Sequence, residues 1–260
     1  MNQSLWISKT GLSAQDTRLA TIANNLSNAA TVGFKRDSTV FEDLLYQVRR
    51  QPGAQSSQNT QLPSGLQVGT GVRIIGTQKE FSEGSLEITE KPLDIAIDGR
   101  GFFEIQLPDG STAYTRNGQF QLSANGEVVT ARGLVLQPAI SVPDNTQSIT
   151  ISTDGIVEAT IAGQGTQQVG TLTISNFVNP AGLQAIGSNL FIETAASGSP
   201  TSGTPGTQGL GSLEQGSLEN SNVDVVEELV NMITTQRTYE MNSKVISTAD
   251  QMLQYISQNL

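Results

Sequence analysis

The pattern of apolar positions is organised around the last stretch of the chain, residues 222–260. Apolar side chains recur there at every seventh position. The members of this line are Val225, Met232, Tyr239, Ile246, Leu253 and Leu260, with Leu229, Ala249 and Ile256 beside it. This spacing is typical of an amphipathic helix that buries one seam against another helix. Because no proline interrupts the stretch, it predicts one helix of about 35 residues, roughly 50 Å long at 1.5 Å per residue.

The beginning of the chain carries a second line of the same kind. Leu5, Leu12, Leu19 and Leu26 are seven residues apart, and Ile22 supports them. The pattern predicts a first helix over residues 4–30. Two interpretations are open: two ordinary core helices, or a coiled coil that pairs the terminal helices within or between molecules. We expect the coiled coil, because both lines lie at the ends of the chain and run longer than a docking helix needs.

The helix ends carry polar signals. Ser221, followed by Asp224 three residues later, resembles a capping box before the C-terminal helix. Gly33 suits a left-handed position that stops the N-terminal helix, and Gly33 and Phe34 are predicted to form a structural turn. Asn24 and Asn25 are expected either to form side-chain hydrogen bonds at the crowded helix end or to be ordinary exposed positions.

Between the two helices, the apolar period changes to two. Alternation around Val72, Leu86, Ile95 and Phe103 predicts strands. Asn-Gly and Asp-Gly turn signals separate the strands, and they predict an antiparallel β-domain over residues 70–195. Two other segments precede this domain, and one follows it. Residues 34–50 could form a short helix, residues 51–69 read as extended without a regular element, and residues 196–212 read as a flexible connector.

These patterns predict an α+β protein with a coiled-coil domain made by long terminal helices and a central antiparallel β-rich domain. The expected division is residues 1–34 for the first core helix, 35–70 for an extended connector, 71–212 for the β-rich domain, and 213–260 for a return strand and the C-terminal helix. A short repeat, FSEGSLE at 81–87 and LEQGSLE at 213–219, has two interpretations: the chain enters and leaves the β-domain at neighbouring places, or the match is due to chance.

Composition and charge exclude several classes of function. The 260 residues carry a net charge of −10, which makes nucleic acid an improbable partner. The chain has no cysteine and no histidine, which excludes disulfides, Cys/His zinc sites and histidine-based catalysis. We expect no cofactor, no metal and no enzymatic activity. No signal peptide and no membrane-spanning run is recognised.

Four motifs along the chain resemble the bacterial flagellar basal-body rod and hook family. They occur in the family's order and together span nearly the whole chain. The motifs are IANNLSNAATVGFKR at 22–36, PLDIAIDGRGFF at 92–103, YTRNGQF at 114–120, and QGSLENSNVD at 215–224 with QRTYE at 236–240. Within the family, the chain resembles the distal-rod members most. Residues 46–75, including Leu62 and Pro63, are similar to the insertion that distinguishes them from hook subunits.

The resemblance implies a structural subunit that polymerises into a helical, tubular drive shaft and transmits torque across the periplasm to the hook. Its implied partners are copies of itself, proximal-rod proteins, the hook protein, the surrounding outer-membrane and peptidoglycan ring proteins, and the flagellar type III export apparatus. The implied location is the basal body in the periplasm, after export without a cleaved signal. The residues expected at the assembly interface are Leu5, Leu12, Leu19, Ile22, Asn24, Asn25, Leu26, Val225, Leu229, Met232, Tyr239, Ile246, Leu253 and Ile256.

Two other functions remain open from the residues alone. One is a secreted β-rich adhesin or carbohydrate-binding protein with helical oligomerisation ends. The other is a β-structured hydrolase that uses carboxylates such as Asp94 and Glu104, although such sites usually need aromatic platforms and the chain has a single tryptophan.

Overall fold

The computed structural model describes residues 2–53, 55–57, 60–61, 64–163 and 165–258. Contacts divide the chain into two compact units. The helical unit contains residues 1–27, 37–78 and 224–260, and the β-unit contains residues 28–36 and 79–223. The combination of long helices with antiparallel strands confirms the predicted α+β class.

Two helices and a set of short strands build the helical unit. The helices are α1 (Asn2–Ser27) and α2 (Val225–Gln258), and the strands are β1 (Asp37–Asp43), β2 (Gln47–Arg50), β3 (Gln55–Ser57), β4 (Thr60–Gln61), β5 (Leu66–Val68) and β6 (Val72–Lys79). The helix α1 packs against α2 and also contacts β1. At 34 residues, α2 has the predicted length.

The two helix ends differ from their predictions. The Asp224 Oδ1 atom accepts hydrogen bonds from the backbone N–H groups of Val226 (2.8 Å) and Glu227 (3.2 Å), so Asp224 caps α2. The prediction that Ser221 caps this helix is wrong, because its hydroxyl accepts a bond from the N–H of Val223 instead. Likewise, α1 ends at Ser27, so Gly33 has the predicted positive φ of 69° but lies beyond the helix end.

A nested ribbon of strands occupies residues 37–79. The strand β1 pairs with β6, β2 pairs antiparallel with β5, and β3 pairs antiparallel with β4. The predictions of a short helix within residues 34–50 and of no regular element in 51–69 are therefore wrong. Four apolar residues are too few to separate a helical period from a strand, and pairing across the ribbon decides the conformation. Leu62 and Pro63 lie outside the described residues.

Over its described residues, the β-unit contains sixteen strands. They are β7 (Leu86–Ile88), β8 (Ile95–Asp98), β9 (Phe102–Gln106), β10 (Thr112–Thr115), β11 (Phe120–Leu122), β12 (Val128–Thr130), β13 (Leu136–Gln137), β14 (Thr146–Ile151), β15 (Ile156–Ile161), β16 (Gly165–Thr171), β17 (Ile174–Asn176), β18 (Gln184–Gly187), β19 (Leu190–Ile192), β20 (Thr201–Gly203), β21 (Ser212–Gln215) and β22 (Ser217–Glu219). The main sheet has the order β18-β19-β10-β9-β17-β20, and β13 also pairs with β9. Because β20 joins this sheet and Leu210 is buried, the prediction of a flexible connector over 196–212 is wrong.

The main sheet is buried on both faces, as the alternation along β9 shows. Phe103 and Ile105 join the large core, whereas Phe102 joins a second, aromatic cluster. The buried members of that cluster are Phe102, Tyr114, Phe177, Leu183 and Phe191. Successive side chains of a strand point to opposite faces, so two adjacent phenylalanines fill two different cores.

The internal repeat marks two segments that meet. The strand β7 pairs antiparallel with β22, and Leu86 stands opposite Glu219. Both strands come from the shared Ser-Leu-Glu part of the repeat. The prediction that the two copies lie near each other is confirmed.

A buried ionic cluster, formed by Lys35, Arg116 and Glu219, joins three segments of the β-unit. The Lys35 ammonium donates to Glu219 Oε1 and to the carbonyl of Ser82, both at 2.6 Å. The Arg116 Nε atom lies 3.3 Å from Glu219 Oε2. All three side chains are at most 4% exposed. Burial lowers the pKa of both Lys35 and Arg116, and the Glu219 carboxylate opposes that shift.

The turn at Asn117-Gly118 does not connect paired strands, because β10 and β11 belong to different sheets. Glycine is required there for another reason. A Cβ atom on Gly118 would lie 1.6 Å from the carbonyl oxygen of Ile95. The backbone of the buried strand β8 therefore passes where any other side chain would begin.

We expect Gly118→Ala to lower the free energy of unfolding of the β-unit by about 3 kcal/mol or more, because the backbone must move to relieve the clash. Urea unfolding of the full chain, followed by far-UV circular dichroism, measures the change. Gly76→Ala is the matched control, since its Cβ meets nothing within 4 Å. Equal stability of the two variants would contradict the argument.

We also expect Glu219→Gln to destabilise the β-unit by about 3–5 kcal/mol, because it leaves two buried cations without their carboxylate. Lys35→Met should cost less, about 1–3 kcal/mol, since Arg116 still neutralises Glu219 while the Ser82 carbonyl loses its donor. The same urea experiment ranks the two variants. A larger loss for Lys35→Met would show that the carboxylate is not the centre of the cluster.

Candidate assembly surfaces

The predicted seam of α1 is mostly half-buried in the single chain. Leu5, Leu12, Leu19 and Leu26 are half-buried, and Ile22 is buried. The residues buried on α1 also include Ser8, Ala14 and Asn25. Gly11 lies at a close approach of the two helices, where an added Cβ would be 3.1 Å from Asn242 Nδ2. The glycine that weakens α1 as an isolated helix therefore allows α2 to come near.

The predicted seam of α2 divides into two groups. Met232, Ile246 and Leu253 are half-buried. Val225, Leu229 and Tyr239 are exposed. The side chain of Ile256 lies outside the described residues. A heptad line drawn through apolar residues alone therefore does not coincide with the face that is buried in the single chain.

The buried face of α2 follows a different and more polar heptad. Glu228, Thr235 and Ala249 are buried, and Asn242 is half-buried. Successive members of this line are seven positions apart. A search for apolar residues at seven-residue spacing missed this line, because Ala249 is its one apolar member. Small and polar side chains allow close helix packing but supply little apolar area, so we expect the hydrophobic drive along this line to be weak.

A second apolar face of α2 is open to solvent. Its members are Val226, Val230, Ile233, Met241 and Met252, all at least half exposed. Val226 is 70% exposed and Met241 is 60% exposed. The first three are spaced by four and three residues, and at 100° per residue all five lie on one side of the helix, away from the Thr235 line. We call these five residues the outward face of α2.

Asn25 and Asn24 have different environments. Asn25 donates from Nδ2 to the carbonyl of Asp37 (2.8 Å) and accepts from the Asp37 N–H at Oδ1 (2.9 Å). This reciprocal pair holds the first residue of β1 against α1. Asn24 lies on the exposed side of α1. The expected side-chain hydrogen bonds at the helix end are observed for Asn25.

Gly33 and Phe34 form a buried turn inside the β-unit. The Gly33 N–H donates to the carbonyl of Glu219 (2.8 Å), and a Cβ on Gly33 would lie 2.8 Å from the backbone nitrogen of Asn117. The ring of Phe34 is buried, with Lys79 Nζ 5.2 Å from its centroid. Close backbone packing and a positive φ both require glycine at position 33.

The ribbon presents a further group of exposed apolar side chains. Leu45 is 89% exposed, and Tyr46, Val48, Leu66 and Ile75 are also exposed. Arg73 pairs with Glu42 through Nε at 2.7 Å across the base of the ribbon. So many exposed apolar side chains on a narrow ribbon are typical of a surface that another chain covers.

The carboxylates considered for hydrolysis have structural partners. Asp94 accepts a hydrogen bond from the Thr89 hydroxyl at 2.7 Å, and Glu104 accepts bonds from the hydroxyls of Ser175 and Ser202. These bonds hold the two side chains in place within the β-unit. Neither helix, over its described residues, is long and apolar enough to cross a membrane.

Three family models match the chain. Residues 5–35 match "Flagella basal body rod protein", residues 96–159 match "Flagellar hook protein FlgE/F/G D1 domain", and residues 214–259 match "Flagellar basal body rod FlgEFG protein C-terminal". They fall on α1, on the β-unit and on the β21–α2 segment.

The chain is also similar over its whole length to proteins named "Flagellar basal-body rod protein FlgG". The identity is 56% to that of Buchnera aphidicola (subspecies Schizaphis graminum), covering 99% of this chain and 100% of the relative. It is 48% to that of Borreliella burgdorferi, covering 97% of each, and 38% to that of Bacillus subtilis, covering 98% and 97%. Full-length similarity at this level shows that the chain belongs to the flagellar basal-body rod protein family and is a structural component of the bacterial flagellum, not an enzyme.

Proposed function

We propose that this chain is a subunit of the distal rod and polymerises into a helical tube that transmits motor torque to the hook. The outward face of α2 carries this proposal. A helix of 34 residues buries one side against α1 and leaves a second apolar side uncovered, and copies of the same chain supply the cover.

The free energy of burying the outward face favours association. Fully burying one exposed aliphatic side chain is worth about 1.5–3 kcal/mol, so the five side chains of the outward face, which are 50–70% exposed, offer roughly 4–10 kcal/mol per contact. The cost of association is estimated at about 4–15 kcal/mol, so a single pairwise contact is marginal. A subunit that contacts several neighbours at once gains several contacts, but it loses its translational and rotational freedom only once. Assembly into a many-contact polymer is therefore favoured over a dimer.

The polar packing between α1 and α2 adds to this argument. The line of Thr235, Asn242 and Ala249 supplies little apolar area, so we expect the helix pair to be weak in a solitary chain. In the proposed tube, the terminal helices form a coiled-coil core in which Leu12 and Ile246 gain further burial. Ordering of the helices then couples to addition of each subunit.

The ribbon is proposed to stiffen the tube. Its exposed apolar side chains, such as Leu45 and Tyr46, would lie between neighbouring subunits. A wedge of paired strands resists bending because its backbone groups are already hydrogen-bonded. The stiffening role is our hypothesis for residues 46–75, the segment that resembles the distal-rod insertion.

A rod component assembles with other proteins of the flagellar basal body. We further propose proximal-rod proteins and the hook protein as end-to-end partners, and the outer-membrane and peptidoglycan rings as surrounding partners. The location would be the periplasmic part of the basal body, reached through the flagellar type III export apparatus. The names of the relatives support the basal body as the setting.

The first test concerns the outward face. Val230→Asp places a charge in the middle of this face and should abolish polymer formation, because an unpaired charge cannot be buried in an apolar contact. Sedimentation and negative-stain electron microscopy measure assembly, and far-UV circular dichroism checks that the chain remains folded. Ser243→Asp, on an exposed side of α2 away from this face, is the matched control for the helix propensity of aspartate. Polymers of normal length from Val230→Asp would refute the assignment of this face.

The second test concerns the ribbon. Deleting residues 47–68 removes the paired strands β2 to β5 and joins Tyr46 to Gly69, whose Cβ position lies 3.5 Å from the Tyr46 ring. The junction therefore needs little rearrangement. The polymer should become more bendable, which its persistence length in electron micrographs measures. A deletion polymer as straight as the wild type would exclude a stiffening role, and Val48→Thr with Leu66→Thr separates the loss of apolar contact from the loss of length.

A further inference from the structure

A cavity of about 310 Å³ opens on the surface of the β-unit. Phe81, Phe102 and Phe177 form its aromatic part, and Val178 lies at its margin. Phe102 meets Phe81 edge to face at 5.4 Å and Phe177 at 5.8 Å. Interlocked rings of this kind give the cavity a fixed shape before anything binds.

The margin of the cavity is rigid and apolar. Val178 is 92% exposed, although the neighbouring Phe177 is buried. Asn179 anchors this loop by donating from Nδ2 to the carbonyl of Ala196 at 3.0 Å, and a 3₁₀ turn begins at Pro180. Val178 therefore extends the apolar part of the cavity to the surface, and grouped exposed apolar side chains of this kind are typical of protein contact surfaces.

The polar side of the cavity has a surplus of positive charge. Arg100 and Arg116 line it together with Glu83, and the buried Lys35–Glu219 pair lies behind Arg116. These five groups carry one more positive than negative charge, within a chain whose net charge is −10. An acidic segment of another copy therefore complements this place electrostatically.

A segment with the matching chemistry lies elsewhere on the β-unit. Ile88, in strand β7, is 75% exposed, and Glu87 and Glu90 beside it are exposed as well. Within the described chain, β7 pairs on one edge only, with β22. The N–H groups of Thr89 and Glu90 both donate to the carbonyl of Gly216, at 2.7 and 3.1 Å, so the segment is held firmly. Residues 86–90 thus present an aliphatic side chain between two carboxylates.

We propose that the cavity receives residues 86–90 of a second copy, with Ile88 against the aromatic rings and the carboxylates of Glu87 and Glu90 facing Arg100. The contact joins two different surfaces, so repetition gives an open chain of subunits instead of a closed dimer. It rests on the proposed function in one respect, namely that copies of this chain associate, and it adds a contact between β-units to the contact between helices.

Disulfide trapping tests the contact directly, because the chain has no cysteine of its own. Two single-cysteine variants, Ile88→Cys and Val178→Cys, are mixed as full-length proteins under a mild oxidant, which accepts the two electrons and two protons released as the thiols join. The mixed dimer should form at least about ten-fold faster than in the control mixture, because docking raises the local thiol concentration into the millimolar range. The control pairs Val178→Cys with Ile186→Cys, an exposed position on β18 without acidic neighbours in sequence.

Charge reversal supplies a second readout. Arg100→Glu in the Val178→Cys protein should lower the rate of mixed-dimer formation several-fold. Glu87→Arg with Glu90→Arg in the Ile88→Cys protein should restore it. Restoration shows that the charged groups face each other, whereas a rate unchanged by Arg100→Glu would overturn the assigned partner segment.

Electron microscopy of the wild-type chain separates this inference from the proposed function. Polymers without preferential trapping would overturn the β-unit contact and leave the rod assignment intact. Preferential trapping without polymers would support the contact and count against the proposed tube. Absence of both would overturn both.

Discussion

One buried carboxylate, that of Glu219, holds together the segments through which the chain passes into and out of its β-unit. It bonds Lys35 after the first helix, the Gly84 N–H within the first copy of the repeat, and Arg116. A buried charge without such partners would cost several kcal/mol, so these segments must assemble together. Residues 28–36 belong to the β-unit for this reason, although 42 residues of the ribbon separate them from residue 79 along the chain.

A second constraint concerns the long C-terminal helix α2, which α1 covers on one side only. One helix can cover only one side of another, and α1 covers the polar line of α2 around Thr235 and Asn242. Several apolar residues of α2, among them Val226 and Val230, then remain exposed on its other side. Burial of these side chains would favour association between chains. Their exposure agrees with membership in a family of flagellar rod proteins.

Local patterns were sufficient for much of the fold. Period-two alternation identified β6, β7, β8 and β9, and the seven-residue period identified both helices, because these signals depend on residue type and local spacing and need no knowledge of the partner. The strands β2 and β5 of the ribbon were missed because they are short and mostly exposed, so neither period is visible in them. The polar heptad of α2 was missed because the search used apolar residues only, whereas Thr235 is buried and Asn242 is half-buried next to Gly11.

The sequence by itself determined the α+β class, the two long helices, the family and the absence of histidine and cysteine chemistry, since each depends on residue type and local spacing. Only the tertiary structure decided which face of α2 is covered and that Lys35, Arg116 and Glu219 meet. Those facts depend on contacts between residues up to 184 positions apart. No local pattern can specify such contacts, because their free energy arises only after the chain has folded and excluded water from the charges.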